Sequence, residues 1–245
     1  MKKNSKLLVS IISFCLFIIL TICLLFIDRQ AVGPNGSIVG LATINKWFSD
    51  LVGSNNILYI ITDWASILPI ALAVCYAVIG VIQWIQRKNL KNVDSSILLL
   101  GAFYIGIFLV YLFFEFVVVN RRPVLINGVL EASFPSSTTL LSITFLLLSI
   151  YQTDRLIKNN AAKITIKVCS LVYMWFLIIG RVIAGVHWLT DILAAIMLAL
   201  AIVYLYYYLC DVINDNQIVL NSKLAKKANK AAIKSSKKKA KEQTL

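Results

Sequence analysis

The chain has 245 residues, of which 60% are hydrophobic and 14% charged, and its mean hydropathy is +0.83. A soluble globular domain does not reach that balance, so the sequence is that of an integral membrane protein. The net charge of +13 does not point to nucleic acid, because no base-stacking aromatics accompany the lysines, which gather at one side of the predicted membrane.

A helical span needs about 20 apolar residues, and six stretches qualify: 7–27, 57–83, 96–119, 136–152, 164–184 and 187–208. The expected fold is all-α, a polytopic membrane protein with six transmembrane helices in one bundle over residues 1–210, followed by a basic cytoplasmic tail at 211–245. The first stretch follows Met1-Lys2-Lys3 and has no small-residue cleavage site, which reads as a retained first span. After it, Gly33-Pro34-Asn35-Gly36 marks a turn, and Leu41, Ile44, Trp47, Phe48 and Leu51 recur at helical spacing. They describe either an amphipathic helix at the outer interface or a packed cap over the bundle. Cys15, Cys23, Cys75, Cys169 and Cys210 form no C-x-x-C pair and do not cluster with the single histidine, so neither disulfides nor zinc are expected.

Short loops rich in Lys and Arg stay in the cytoplasm. With the N-terminus inside, 19 of the 24 basic residues fall on the inner side, and Arg29, Lys46, Arg121, Arg122 and Arg181 remain outside. An even number of spans puts both termini in the cytoplasm. The lysine run 223–245 either lies on anionic inner-leaflet lipid or only fixes topology. The expected location is a bacterial plasma membrane, multi-pass, with the site described next facing outside.

Two polar clusters interrupt the apolar pattern on that outer side. The segment GRVIAGVHWLTDILAA, residues 180–195, sets Arg181, His187 and Asp191 within membrane-spanning sequence. Ionisable groups are costly there and usually mark a functional path. With His187 and Asp191 four residues apart on one helix, the carboxylate accepts an imidazole N–H and frees the other ring nitrogen. The second cluster is NRRPVLINGVLEASFPSSTTLL, residues 120–141. Arg121 and Arg122 offer guanidinium forks for phosphate oxygens, and Ser136 and Ser137 open a helix whose free N–H groups and dipole favour an anion.

Taken in order, these residues resemble the type-2 phosphatidic acid phosphatase and vanadium haloperoxidase superfamily, whose pattern is K-x6-R-P, then P-S-G-H, then S-R-x5-H-x3-D. Arg181, His187 and Asp191 fit the third block, with Gly180 where the family commonly has Ser; Arg122-Pro123 fits the end of the first, and Pro135-Ser136 the start of the second. The six-span layout looks like that of the family's membrane lipid phosphatases. The resemblance implies that His187 attacks phosphorus and forms a phosphohistidine, that Asp191 orients it, and that Arg122, Arg181, Ser136 and Ser137 hold the phosphoryl oxygens. No metal or other cofactor is required by that scheme.

Two positions depart from the family pattern. Glu115 stands at the first-block lysine and Thr138 at the second-block histidine, the expected general acid. Glu115 is expected to pair with Arg121 or Arg122, and Arg121 to supply the lost positive charge. Asp63 and Glu131 are further acids near the outer face, with a structural role expected for each. Without an acid at position 138, a substrate whose leaving group needs no proton is favoured. Undecaprenyl diphosphate, which expels a lipid monophosphate, is therefore expected over phosphatidate, which expels an alkoxide. A phosphotransferase using the same intermediate, and a silent lipid-phosphate binding or transport protein, are the alternatives.

Overall fold

The computed structural model describes residues 1–242, with side chains described as far as residue 218. Eight helices follow in order: α1 (Lys3–Phe26), α2 (Ala42–Val52), α3 (Asn56–Ala65), α4 (Ile67–Arg87), α5 (Ser95–Phe116), α6 (Ser137–Leu156), α7 (Asn160–Ala184) and α8 (Leu189–Glu242). No strand occurs among the described residues, where only isolated bridges are found, two of them folding the 121–132 loop back on itself. The lysine run 223–245 lies outside the residues whose side chains are described.

Five segments are long and apolar enough to cross a bilayer: 3–26, 56–87, 95–116, 160–184 and 189–218. The remaining expected span, 136–152, falls within α6, a 20-residue helix that is more polar than these five and is not among them. Its polarity follows from its place. Packed between α4, α7 and α8, it buries Thr138, Thr139, Ser142, Thr144, Ser149, Gln152 and Thr153 against protein instead of lipid. Thr144 donates to the Leu140 carbonyl at 2.7 Å, and Gln152 donates to the Ser96 carbonyl at 3.2 Å. Polar groups at membrane depth persist where such partners exist. By contrast, α1 lies along α8 and turns Leu8, Ile12, Ile19 and Ile22 outward, as a lipid-facing helix does.

The second expected span is broken. Its helix is interrupted at Ser66, whose backbone N–H bonds Thr62 and Asp63 carbonyls, so α3 leans on α7 while α4 leans on α6. Gly180 permits the first contact: a Cβ there would meet Thr62 Cγ2 at 2.5 Å. Gly180, where the pattern that the sequence resembles commonly has serine, is therefore a point of close helix approach.

The segment after α1 that was expected to be helical forms α2. Ala42 and Asn45 are buried, while Ile44, Trp47 and Leu51 are exposed. Asn45 donates to the Gly40 carbonyl and the Thr190 hydroxyl, both at 2.9 Å, and accepts from the Thr190 backbone N–H at 3.2 Å. It thereby satisfies a free N–H in the first turn of α8. The helix is a cap whose outer face carries apolar side chains suited to a membrane interface.

Candidate active site

The ends of α5 and α7, the starts of α3, α6 and α8, and the 117–136 loop converge at one end of the bundle. The α7–α8 turn depends on Gly185, whose φ of +64° is left-handed; a Cβ there would lie 1.8 Å from the Gly53 carbonyl oxygen. The Asn55 N–H donates to the Ala184 carbonyl at 3.0 Å and pins the same corner. Trp188, buried, donates its indole N–H to the Arg121 carbonyl at 2.6 Å, and the Ser136 N–H donates to the Asp191 carbonyl at 3.1 Å. These two bonds lock the two sequence clusters together, 67 residues apart in the first case.

His187 and Asp191 do not share a helix as the spacing suggested. α8 begins at Leu189, so His187 precedes it and Asp191 stands in its first turn, where its carboxylate accepts the Trp188 N–H at 3.0 Å. That bond is half of a capping box. His187 Nδ1 is 3.9 Å from Asp191 Oδ2, too long for a hydrogen bond. Ser133 stands between them. Its carbonyl lies 3.1 Å and its hydroxyl 3.2 Å from His187 Nδ1, and the hydroxyl donates to Asp191 Oδ2. A carbonyl oxygen only accepts, so the imidazole proton sits on Nδ1 and Nε2 keeps its lone pair. Burial above all, then the nearby Arg122 and Arg181 guanidinium groups, hold the His187 pKa well below the ordinary histidine value, with the Ser133 carbonyl acting weakly the other way. The ring is neutral near pH 7.

His187 Nε2 faces Arg122 Nη1 at 3.4 Å. Both line a cavity of about 230 Å³ together with Tyr111, Glu115, Glu131 and Ser137. Glu131, not Glu115, pairs with Arg122, Nε to Oε2 at 3.0 Å; the loop that folds back on itself brings them together, with the Arg122 N–H on the Glu131 carbonyl at 3.1 Å. Glu115 lines the cavity, exposed and without an ion pair among the described residues. Arg121 is not at the cavity: its side chain is exposed and its guanidinium donates to the Leu130 carbonyl at 2.9 Å. Ser136 is fully buried with its hydroxyl on Thr139 at 3.0 Å, whereas Ser137 reaches the cavity.

Arg181 is 1% exposed. Its Nη2 donates to Asp63 Oδ1 and to Thr138 Oγ1, both at 2.6 Å, and its guanidinium stands 5.1 Å over the Tyr59 ring. Nε and Nη1 are buried without partners, an uncommon and costly state that an anion would relieve. Thr138 thus anchors an arginine at the position where the family pattern has a histidine. A second cavity of about 410 Å³, lined by Ile107, Phe108, Leu141 and Phe145 as well as Asp63 and Thr138, shares Tyr111 and Ser137 with the first.

Sequence reasoning did not find Ser133, and it left Asp63 and Glu131 without partners. No periodicity flags a loop serine, and both ion pairs join residues whose meeting depends on the tertiary fold.

A helical bundle that gathers a buried histidine, two arginines and a helix N-terminus at one end presents groups suited to an anion. Residues 116–214 match the family model of the PAP2 superfamily, which bears out the resemblance drawn from the three sequence blocks. Among solved structures, the fold is similar to that of a transmembrane PAP2-type phosphatidylglycerolphosphate phosphatase from Bacillus subtilis, with a TM-score of 0.58 and 20% identity over 83% of this chain and 96% of that one. No curated protein sequence matches the chain.

Proposed function

We propose that this protein removes a phosphate group from a lipid phosphate or diphosphate at the outer leaflet, through a phosphohistidine on His187 and without a metal. The observation that carries this reading is the setting of His187. Its proton is held on Nδ1 by the Ser133 carbonyl, and its Nε2 lies beside Arg122 in a cavity at the end of the bundle. A neutral imidazole with one free lone pair next to a guanidinium suits attack on phosphorus.

Arg122 and the first turn of α6 at Ser137, which line the cavity, would hold the equatorial oxygens together with Arg181, whose buried Nε and Nη1 lack partners. Asp191 acts on the imidazole through Ser133. The apolar walls of the adjoining cavity suit the first part of a lipid chain. Two features support the outer leaflet. Basic residues are concentrated in the segments read as cytoplasmic, and Lys3 and Lys6 pair with Asp215 and Asp211, midway along α8 and far from Asp191.

The reading favours a polyprenyl diphosphate such as undecaprenyl diphosphate. Thr138 is no proton donor near neutral pH and is already engaged with Arg181. A lipid monophosphate leaves without protonation, its second pKa being about 6, whereas an alkoxide needs the help worth roughly 10² to 10⁴ in rate. The test is a hydrolysis panel in detergent with phosphatidate, phosphatidylglycerol phosphate and undecaprenyl diphosphate, reading free phosphate. The expected result is the highest kcat/KM on the diphosphate. Equal values on all three would overturn the preference, and no phosphate release from any would overturn the activity.

A further inference from the structure

A phosphohistidine must be broken as well as made, and breaking it requires a group that takes a proton from the attacking water. Thr138 cannot do so. Its hydroxyl is occupied by Arg181 at 2.6 Å. Of the other polar groups that line the His187 cavity, the Glu131 carboxylate is taken by Arg122 at 3.0 Å and the Ser133 hydroxyl donates to Asp191. Tyr111 brings a phenol, protonated at neutral pH, and Ser137 a hydroxyl. That leaves one carboxylate with no ion pair among the described residues, Glu115, at the last turn of α5 and exposed at the mouth of the cavity.

We propose that Glu115 is the general base for hydrolysis of the phosphoenzyme. The inference rests on the phosphohistidine reading and deepens it. In the first half-reaction the Nε2 lone pair of His187 forms the N–P bond as the P–O bond to the lipid breaks, and the departing lipid phosphate keeps the electron pair. No proton is needed there. In the second, a water oxygen forms a new P–O bond, its proton passes to the Glu115 carboxylate, the N–P bond breaks and its electron pair returns to Nε2. Inorganic phosphate leaves, and Glu115, at the last turn of α5 and exposed on the protein surface, releases its proton to solvent at the cavity. A carboxylate in direct contact with a phosphoryl group would repel it; one intervening water relieves that repulsion and is the reactant. The sequence departure that removes a positive phosphate ligand thus supplies the base that the other departure, at Thr138, removes.

The test is rapid-quench kinetics of the full chain with Glu115→Gln, using undecaprenyl diphosphate labelled in its outer phosphate. The expected result is a stoichiometric burst of lipid monophosphate at the wild-type rate, then breakdown of the labelled enzyme slowed by roughly 10²- to 10⁴-fold. kcat and KM should fall together, and Glu115→Asp should recover part of the breakdown rate. Breakdown at the wild-type rate in Glu115→Gln would overturn the proposal, as would loss of the burst itself. If the wild-type enzyme hydrolyses the lipid but never carries label, the phosphohistidine reading fails and this one with it. A labelled wild type with unchanged Glu115→Gln breakdown sinks this inference alone.

Discussion

The α7–α8 turn and the segment from Glu115 to Thr138 meet at one cavity, yet they are built differently. In the first, Arg181, His187 and Asp191 are all nearly or fully buried and surrounded by fixed partners: the Ser133 carbonyl, the Trp188 N–H, the Thr138 hydroxyl. In the second, Glu115 and Arg121 are exposed and Arg122 is half-buried. The turn keeps every charged residue of the family pattern, and the segment keeps only Arg122. Burial accounts for the contrast at Glu115 and Arg121, but not at Thr138, which is buried and also departs from the pattern. A buried ionisable group is tolerable only with its partners in place, so none of the turn's members can change alone. An exposed position tolerates a change of charge, and Glu115 and Arg121 occupy such positions.

The contrast is broken or sharpened first at His187. His187→Ala should reduce turnover by at least about 10⁴-fold, because it removes the attacking atom. The protein should still insert and unfold cooperatively, since the Trp188 indole that anchors the turn on the Arg121 carbonyl is left in place. Hydrolysis and detergent thermal unfolding, measured on one preparation, check both parts. Activity within tenfold of wild type would show that burial at this turn serves packing alone.

Asp191→Asn comes next, with an expected loss of roughly 10²- to 10⁴-fold. The amide oxygen still accepts the Trp188 N–H and preserves the start of α8, so the loss isolates the charge. Ser133→Ala should lose less, about 10- to 100-fold, because it removes one hydrogen bond to a charged group but leaves the carbonyl that holds the Nδ1 proton. The chain has a single histidine, so one imidazole signal in an NMR titration reports the site directly. In the wild type it should stay neutral as pH falls through 6.5, the direction set by burial and the two arginines. Removing the Asp191 charge disfavours the imidazolium further and should move the titration lower still. An unmoved titration in Asp191→Asn would mean that the 3.9 Å gap isolates the carboxylate electrically.

How much of this was visible in the sequence divides along the same line. Apolar runs of about 20 residues marked α1, α5, α7 and α8, because lipid-facing helices carry their environment in their composition. They also marked α6, though that helix is buried by protein and keeps seven polar residues inside. The break at Ser66 was not visible, since α3 and α4 are both apolar and differ only in which helix they pack against. At the site, Arg181, His187 and Asp191 were legible as ionisable residues in an apolar stretch and by their resemblance to the family's third block, although the geometry expected of His187 and Asp191 was not the one found. Ser133 was not, because its role depends on its backbone carbonyl, which carries no sequence signal. The Arg122–Glu131 and Arg181–Asp63 pairs were missed for a related reason: each is made by a loop closure or a helix approach, the latter at Gly180.

The smallest expected effect separates two neighbouring arginines. By charge and spacing alone, Arg121 and Arg122 are equivalent phosphate ligands. In the structure the Arg122 guanidinium reaches the cavity beside His187, whereas the Arg121 guanidinium turns out to the Leu130 carbonyl and only its backbone carbonyl, held by Trp188, supports the site. A backbone contact survives replacement of the side chain. Arg121→Ala should therefore change kcat/KM by no more than about threefold, the scale of an exposed charge acting across solvent. Arg122→Ala should lose about 10²- to 10³-fold, the scale of one lost donor to developing charge. Assays of both variants on one diphosphate substrate at two salt concentrations check the distinction, because an exposed charge is screened and a half-buried one much less. Equal losses in the two variants would place the Arg121 guanidinium on the substrate and extend the phosphate site out to the exposed edge of the loop.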